Sequence, residues 1–263
     1  MTYQAIFTGW DDLTIEALLV AYRKAKADSF FENTFPVAIK FAEYEQELLE
    51  NLQKLLDLLQ SEDGFSSNKK LIGKFRLLPK KLTTKKKHES QNGHVHFSNP
   101  KRAADHLFNN FDLIPEFRII GDFPVDSHII SALWINMVGH KFDASLDNCC
   151  YGARLKRIRN DELFSNEQDN PFHISAVGSF SPYFQPYQKW RGDGLKAIRD
   201  ELEKDRDIIA ASLDLKSYYH FIDPLAITSD DLYNTLNIKL TEDEKAFTAQ
   251  LAVFLKHWSD GAA

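Results

Sequence analysis

Apolar residues recur at helical spacing over residues 12–28 and again over roughly 37–60, where Leu48, Leu49, Leu52, Leu55, Leu56 and Leu59 form a stripe. The pattern predicts two packed helices with the leucine stripe in the core. Pro36 suits the start of the second helix, and Gly64 lies in the polar stretch that ends it. Past residue 69 the periodicity gives way to KKLIGKFRLLPKKLTTKKKH. That stretch reads either as a solvated loop with a charged tip or as a patch facing phosphates. EFRIIGDF then predicts a short strand and turn. PVDSHIISALWINMVGH predicts an amphipathic helix, with Asp126 as its N-cap and Ile129, Ile130, Leu133, Trp134 and Met137 turned inward. After the loop NCCYGARLKRIR and the aromatic connection SFSPYFQPYQKW, a helix from about Gln188 to Lys204 is expected to bury Leu195, Ile198 and Leu202. It leads into an apolar run, Ile208 to Leu213, with the pattern of a buried strand. Helices are predicted over about 228–237 and 241–258, the second opened by a capping box of Thr241 and Glu244.

Composition changes this picture in three ways. With 263 residues, 43% hydrophobic and 13% aromatic, the chain has ample material for a core. Its net charge of -6 argues against a uniformly basic nucleic-acid binder and leaves local patches open. The only cysteines, Cys149 and Cys150, are adjacent and give no disulfide framework, which suits a reducing compartment. No secretory leader pattern opens the chain, and no apolar run approaches the ~20 residues that span a bilayer. The expectation is a soluble, cytoplasmic protein without membrane partners. His88, His94 and His96 lie close in sequence, but no fourth ligand stands near them to complete a zinc site.

The chemistry concentrates at ASLDLKSYYHFIDP, where Asp214 ends the apolar run. An unpaired carboxylate at the end of a buried strand costs several kcal/mol, so a cation should compensate it. A metal ion is one candidate and a neighbouring Lys or Arg the other.

The order of elements decides what this resembles: a strand carrying Arg118 in FRII, a helix, Tyr151-Gly152-Ala153-Arg154 in CYGAR, a helix, and Asp214 followed by Tyr218 and Tyr219. Over about residues 111–258 this is similar to the reverse transcriptases, most of all to their bacterial defence-associated, abortive-infection (antiphage) group. LWI, YGARL, PYFQPYQKWR and DLKSYYHFIDP carry the likeness. In that family the loop segment begins with Ser and has an aromatic fourth residue; here Cys150 and Ala153 stand in.

The resemblance implies an α/β (α+β) fold: a helical region with a basic loop over 1–110, then reverse-transcriptase fingers and the first part of the palm over 111–263. It implies an RNA-directed DNA polymerase that takes an RNA template, a DNA primer and dNTPs. Asp214 and the carbonyl of Leu215 would hold Mg²⁺ (or Mn²⁺), one of two ions about 3.5–4 Å apart. Tyr219 would close on the sugar and exclude a 2′-OH, with Tyr218 its neighbouring candidate. Arg118 and Arg154 would offer their guanidinium forks to the incoming phosphates. Arg157, Arg159, Lys85, Lys86 and Lys87 would meet nucleic-acid backbone. The family's second catalytic motif, Y-x-D-D, does not occur in the 263 residues, and Asp230-Asp231 reads as a helix start. Two expectations follow: a portion of a longer polymerase, completed by a further part or a partner subunit, or a shortened protein that binds nucleic acid without catalysing.

Overall fold

A computed structural model describes residues 6–32, 37–86, 96–147, 149–158, 172–214 and 222–262. The architecture is α+β, with helices and one two-stranded antiparallel sheet among the described residues. The chain forms two compact units, one built from residues up to Ile72 and from Phe123 onward, the other from Gly73 to Asp122. The expected division at residue 110 falls between α5 and β2, inside the second unit.

The first unit is helical. α1 (Ile15–Glu32) starts where the Thr14 hydroxyl accepts from the Ala17 amide at 3.3 Å, and it buries Leu18, Ala21, Tyr22 and Ala25 at helical spacing. Of the leucine stripe, Leu52, Leu55, Leu56 and Leu59 are buried and Leu48 packs partly against the core, but Leu49 is 66% exposed and does not join it. The stripe lies on α3 (Leu48–Leu59), and the helix expected over 37–60 is split, with α2 (Val37–Glu45) preceding it and burying Phe41. The break lies at Glu47, whose backbone is not helical (φ -129°, ψ 40°); beside it the Tyr44 carbonyl accepts from Asn51 Nδ2 at 3.0 Å and the Tyr44 hydroxyl donates to Asp126 Oδ1 at 2.7 Å. α4 (Lys69–Ile72) docks on α6 (Val125–Trp134) through Ser127 Oγ, which donates to the Leu71 carbonyl at 2.6 Å. α6 runs through a π-helical turn (Ile135–Gly139) into α7 (His140–Ala144). After α8 (Phe184–Leu202), a 3₁₀ turn (Pro224–Thr228) and α9 (Asp230–Thr235) lead to α10 (Glu242–Ala262). The core joins α1, α3, α6 and α10 and includes the edge-on rings Phe7, Trp10, Phe65 and Phe247, 4.7–6.1 Å apart.

In the second unit β1 (Lys74–Lys86) pairs with β2 (Phe111–Asp122), in register from Lys74 opposite Asp122 to Lys86 opposite Phe111. The basic stretch is therefore a strand of a hairpin, where a loop with a charged tip had been one expectation. The register shifts between Pro79 and Lys81, so Lys80 is the extra residue of a bulge. Residues opposite one another share a face. One face carries Lys74, Arg76, Lys81 and Lys85 with Arg118, Glu116 and Asp112; the other carries Phe75, Leu77, Leu82, Phe117 and Ile119. That apolar face is open to solvent, Leu77 being 64% exposed. α5 (Pro100–Asn110) starts at Asn99, whose side chain accepts from the Lys101 amide at 2.8 Å, and it feeds directly into β2.

Three local expectations are corrected. Asp126 is not the N-cap of α6: Pro124 occupies that position, and the Asp126 carboxylate accepts from Tyr44 instead. α8 begins at Phe184, and neither Leu195 nor Leu202 is buried on it. Helical spacing tells which residues share a face, not whether another element covers that face. The strand expected over Ile208–Leu213 does not form; residues 206–214 have no regular secondary structure, and Ile209 is 100% exposed. α8 stops before it through Asp205 in the left-handed conformation (φ 54°), with the Arg206 amide bonded to Glu201 O at 3.3 Å and the Asp205 amide to Leu202 O at 3.0 Å. A strand needs a partner for its backbone groups, and among the described residues only β1 and β2 pair as strands.

Candidate nucleic-acid interface

The hairpin unit holds ten Lys and Arg against five Asp and Glu, a net charge of +5 inside a chain of net -6. On its charged face each of Lys74, Lys81 and Lys85 stands opposite an acid, Asp122, Glu116 and Asp112. Opposed charges of this kind pin register. Asp122 is committed to Arg76, with Arg76 Nε at 2.7 Å and Nη2 at 2.6 Å. Lys85 and Lys86 lie at the far end of the ribbon, roughly 40 Å along it from Lys74 at a strand rise of about 3.3 Å per residue. Both are exposed, and Arg118 projects from β2 opposite Leu78, also exposed. Lys87 lies outside the described residues.

The other expected arginines meet a different partner. Asp143, buried near the end of α7, receives Arg154 Nε at 2.8 Å on Oδ1 and Arg157 Nη2 at 2.7 Å on Oδ2. Arg154 also donates to the carbonyls of Asp143 at 3.0 Å and of Asp147 and Cys150 at 3.1 Å. Four of its five N–H groups are thereby used inside the fold, and a phosphate would have to displace them. The result is a clamp that ties the Tyr151–Ile158 segment to the helix. Tyr151 extends it, donating to Asp193 of α8 at 2.8 Å, and Ala153 turns the chain with φ 45°. One signal in the sequence points to Asp143: an acid closing an apolar helix ten residues before the basic run ARLKRIR begins at Ala153. Arg159, Leu215, Tyr218 and Tyr219 lie outside the described residues, as do His88 and His94.

Asp214 is exposed on the irregular segment, beside Leu213 at 93% exposure. The cost of burial that motivated a compensating cation does not arise there. No group of three or more His, Cys, Asp or Glu side chains suited to a metal ion occurs among the described residues. A Mg²⁺ site takes several oxygen donors around one ion, and Leu215, the other expected ligand, lies outside the described residues.

A further polar cluster has no local signature in the sequence. Lys24 is buried, donates to the His173 carbonyl at 3.1 Å, and lies 4.1 Å over the Phe172 ring, on which the His140 imidazole also stacks at 5.6 Å. Burial pulls the Lys24 ammonium down to about 8 and the His140 imidazole below its ordinary value. His140, Lys141, Asn237, Lys239 and Glu244 line a cavity of about 600 Å³. Glu244 is fully buried and is held by Lys141 Nζ at 2.6 Å and by the Thr241 amide at 3.0 Å, so its carboxylate serves the fold. No helix among the described residues is long and apolar enough to cross a membrane. Compared with family models, with curated proteins and with solved structures, the chain matches none.

Proposed function

We propose that the chain binds nucleic-acid backbone through its hairpin unit, as the fingers portion of an RNA-directed DNA polymerase of the antiphage kind. The observation that carries the binding reading is charge segregation: a net charge of +5 on residues 73–122 in a chain whose total is -6. A basic ribbon on an acidic protein is an electrostatic footprint for phosphates. Contacts of this type release counterions, so affinity for RNA or DNA should fall steeply with salt and vary little with sequence. Fluorescence anisotropy with a labelled oligonucleotide across a salt series tests it. Replacing Lys85, Lys86 and Lys87 together by Ala should reduce the slope of log K against log salt by about 2–3. Binding indifferent to salt, or none, overturns the reading.

The polymerase reading adds Asp214 and the Leu215 carbonyl as ligands for Mg²⁺ or Mn²⁺, Tyr219 against the sugar of an incoming dNTP, and Arg118 on its phosphates. What supports it is the order of motifs along the chain, Arg118 in FRII, Tyr151-Gly152-Ala153-Arg154 in CYGAR, and then Asp214 followed by Tyr218 and Tyr219. Two-metal transfer needs a second carboxylate. Residues 1–263 alone are therefore expected to extend no primer; robust extension would refute that incompleteness. In an assembly that does polymerise, Asp214→Asn should abolish dNTP incorporation and Tyr219→Ala should admit ribonucleotides. An Asp214→Asn assembly that still polymerises leaves the binding role alone, as a non-catalytic subunit on the same scaffold.

A further inference from the structure

The start of α8 exposes a run of aromatic side chains. Tyr183 is 80% exposed, and Phe184, Tyr187 and Trp190 are each more than half exposed. Tyr187 and Trp190 already contact one another, with ring centroids 5.8 Å apart. Residues 183–192, YFQPYQKWRG, hold these four rings with Lys189 and Arg191 and no acid. The first carboxylate, Asp193, comes two residues after Arg191, on the other side of the helix, where Tyr151 holds it. Tyr183, Phe184, Tyr187, Gln188, Arg191 and Leu195 line a groove of about 630 Å³. Arg191 makes no hydrogen bond or ion pair within the described residues.

A contiguous aromatic patch in water marks a binding surface. We infer that the N-terminal half of α8 is a stacking platform for the bases of single-stranded nucleic acid. The inference rests on the nucleic-acid reading above but places a second contact on the other unit. Rings one turn apart along a helix offer successive π-faces, and stacking on them is sequence-tolerant because every base has such a face. Arg191 in the same groove adds a cation for phosphate or for cation–π contact with a base. Its charge suits a polyanion. Gly192 fits the same occupant: a Cβ there would meet nothing within 4 Å, so no packing inside the described fold requires glycine. Next to Arg191 the missing side chain leaves room for a sugar-phosphate backbone to lie close.

The test uses the full chain with a short single-stranded oligouridylate and a blunt duplex of equal length. Saturating oligouridylate should quench tryptophan emission in the wild type, and Trp190→Phe should remove that quench. Tyr187→Ser/Trp190→Ser should weaken single-strand binding at fixed salt by tenfold or more. Its salt slope and its duplex affinity should stay as in the wild type. The lysine triple variant should do the opposite, flattening the slope while the Trp190 quench persists at saturation. No quench in the wild type, or unchanged single-strand affinity in the double variant, overturns the inference and leaves the hairpin reading intact. An unchanged slope in the lysine variant overturns the hairpin reading instead. Circular dichroism checks folding, and the wild-type quench decides the matter even if the double variant misfolds. A wild type that sediments as a dimer and a double variant that sediments as a monomer would mean that a second copy covers this face, which also overturns it.

Discussion

Burying the ammonium of Lys24 costs free energy that its carbonyl partner and the Phe172 ring only partly return. Its native pKa of about 8 lies below the ordinary value of 10.5, so between those pH values the unfolded chain holds a proton that the native state has released. Stability should therefore rise with pH from about 8 to 10, while below 8 the full cost stands. Above about 10 the trend should reverse, because burial raises the Tyr22 and Tyr44 hydroxyls well above their ordinary range and only the unfolded tyrosines ionise. Lys24→Met keeps the stem and removes the charge. Urea midpoints at pH 7, 8, 9 and 10 should show the variant more stable at pH 7 by roughly 2 kcal/mol, with the rise across 8–10 flattened. A rise that survives in the variant would assign it to another group. None of this was legible in IEALLVAYRKAKADSF, because Arg23, Lys24 and Lys26 look alike in sequence. Only docking distinguishes them, leaving Lys24 in the core and pairing Lys26 with Glu45 at the surface.

Between elements, the start of α10 concentrates the strongest local chemistry. The Thr241 hydroxyl accepts from the Glu244 amide at 3.2 Å, and Glu244 accepts from the Thr241 amide and from Lys141 on α7. Thr241→Ala should cost about 1 kcal/mol, the value of one cap. Lys141→Met should cost more, roughly 3–5 kcal/mol, since it leaves a buried carboxylate without its counter-charge. Thermal and urea unfolding of both variants checks the order; equal effects would mean that Glu244 is solvated. Gly139 sets a second constraint: a Cβ there would come within 2.7 Å of the Trp134 ring, whose Nε1 is tied to Thr248 Oγ1 at 3.0 Å. Gly139→Ala should destabilise by about 1–3 kcal/mol on the same assay. The capping box and the leucine stripe could be read from the chain because each signal lies within a few neighbouring residues. Asp126, Leu195 and Ile208–Leu213 depart from their local pattern for one reason: capping and burial there depend on a partner elsewhere in the chain, Tyr44 for Asp126 and none among the described residues for the other two.

At the scale of the molecule, every side chain of the buried core among the described residues comes from outside the hairpin unit, from Phe7 to Leu71 and from Val125 to Phe254. The ribbon exposes both of its faces, and Pro79 and Pro115 each remove a backbone donor from its edges, which discourages further strands from adding. The sequence showed the ribbon's charge but not its closure. Lys74 pairs with Asp122, so the two crossing points of the chain lie about 5 Å apart. Replacing residues 75–121 by a short Gly-Ser turn should therefore close the helical unit without strain. Because that unit holds the whole core, the shortened chain should keep its helical circular dichroism and unfold cooperatively within about 1 kcal/mol of the parent. It should also lose the salt-dependent part of nucleic-acid binding, which the net +5 of residues 73–122 supplies, and keep the Trp190 quench with a single strand at low salt. A shortened chain that is unfolded would make the ribbon part of the folding unit. One that folds and binds with the parent's salt slope would move the phosphate contacts to the acidic remainder of the chain, against its charge.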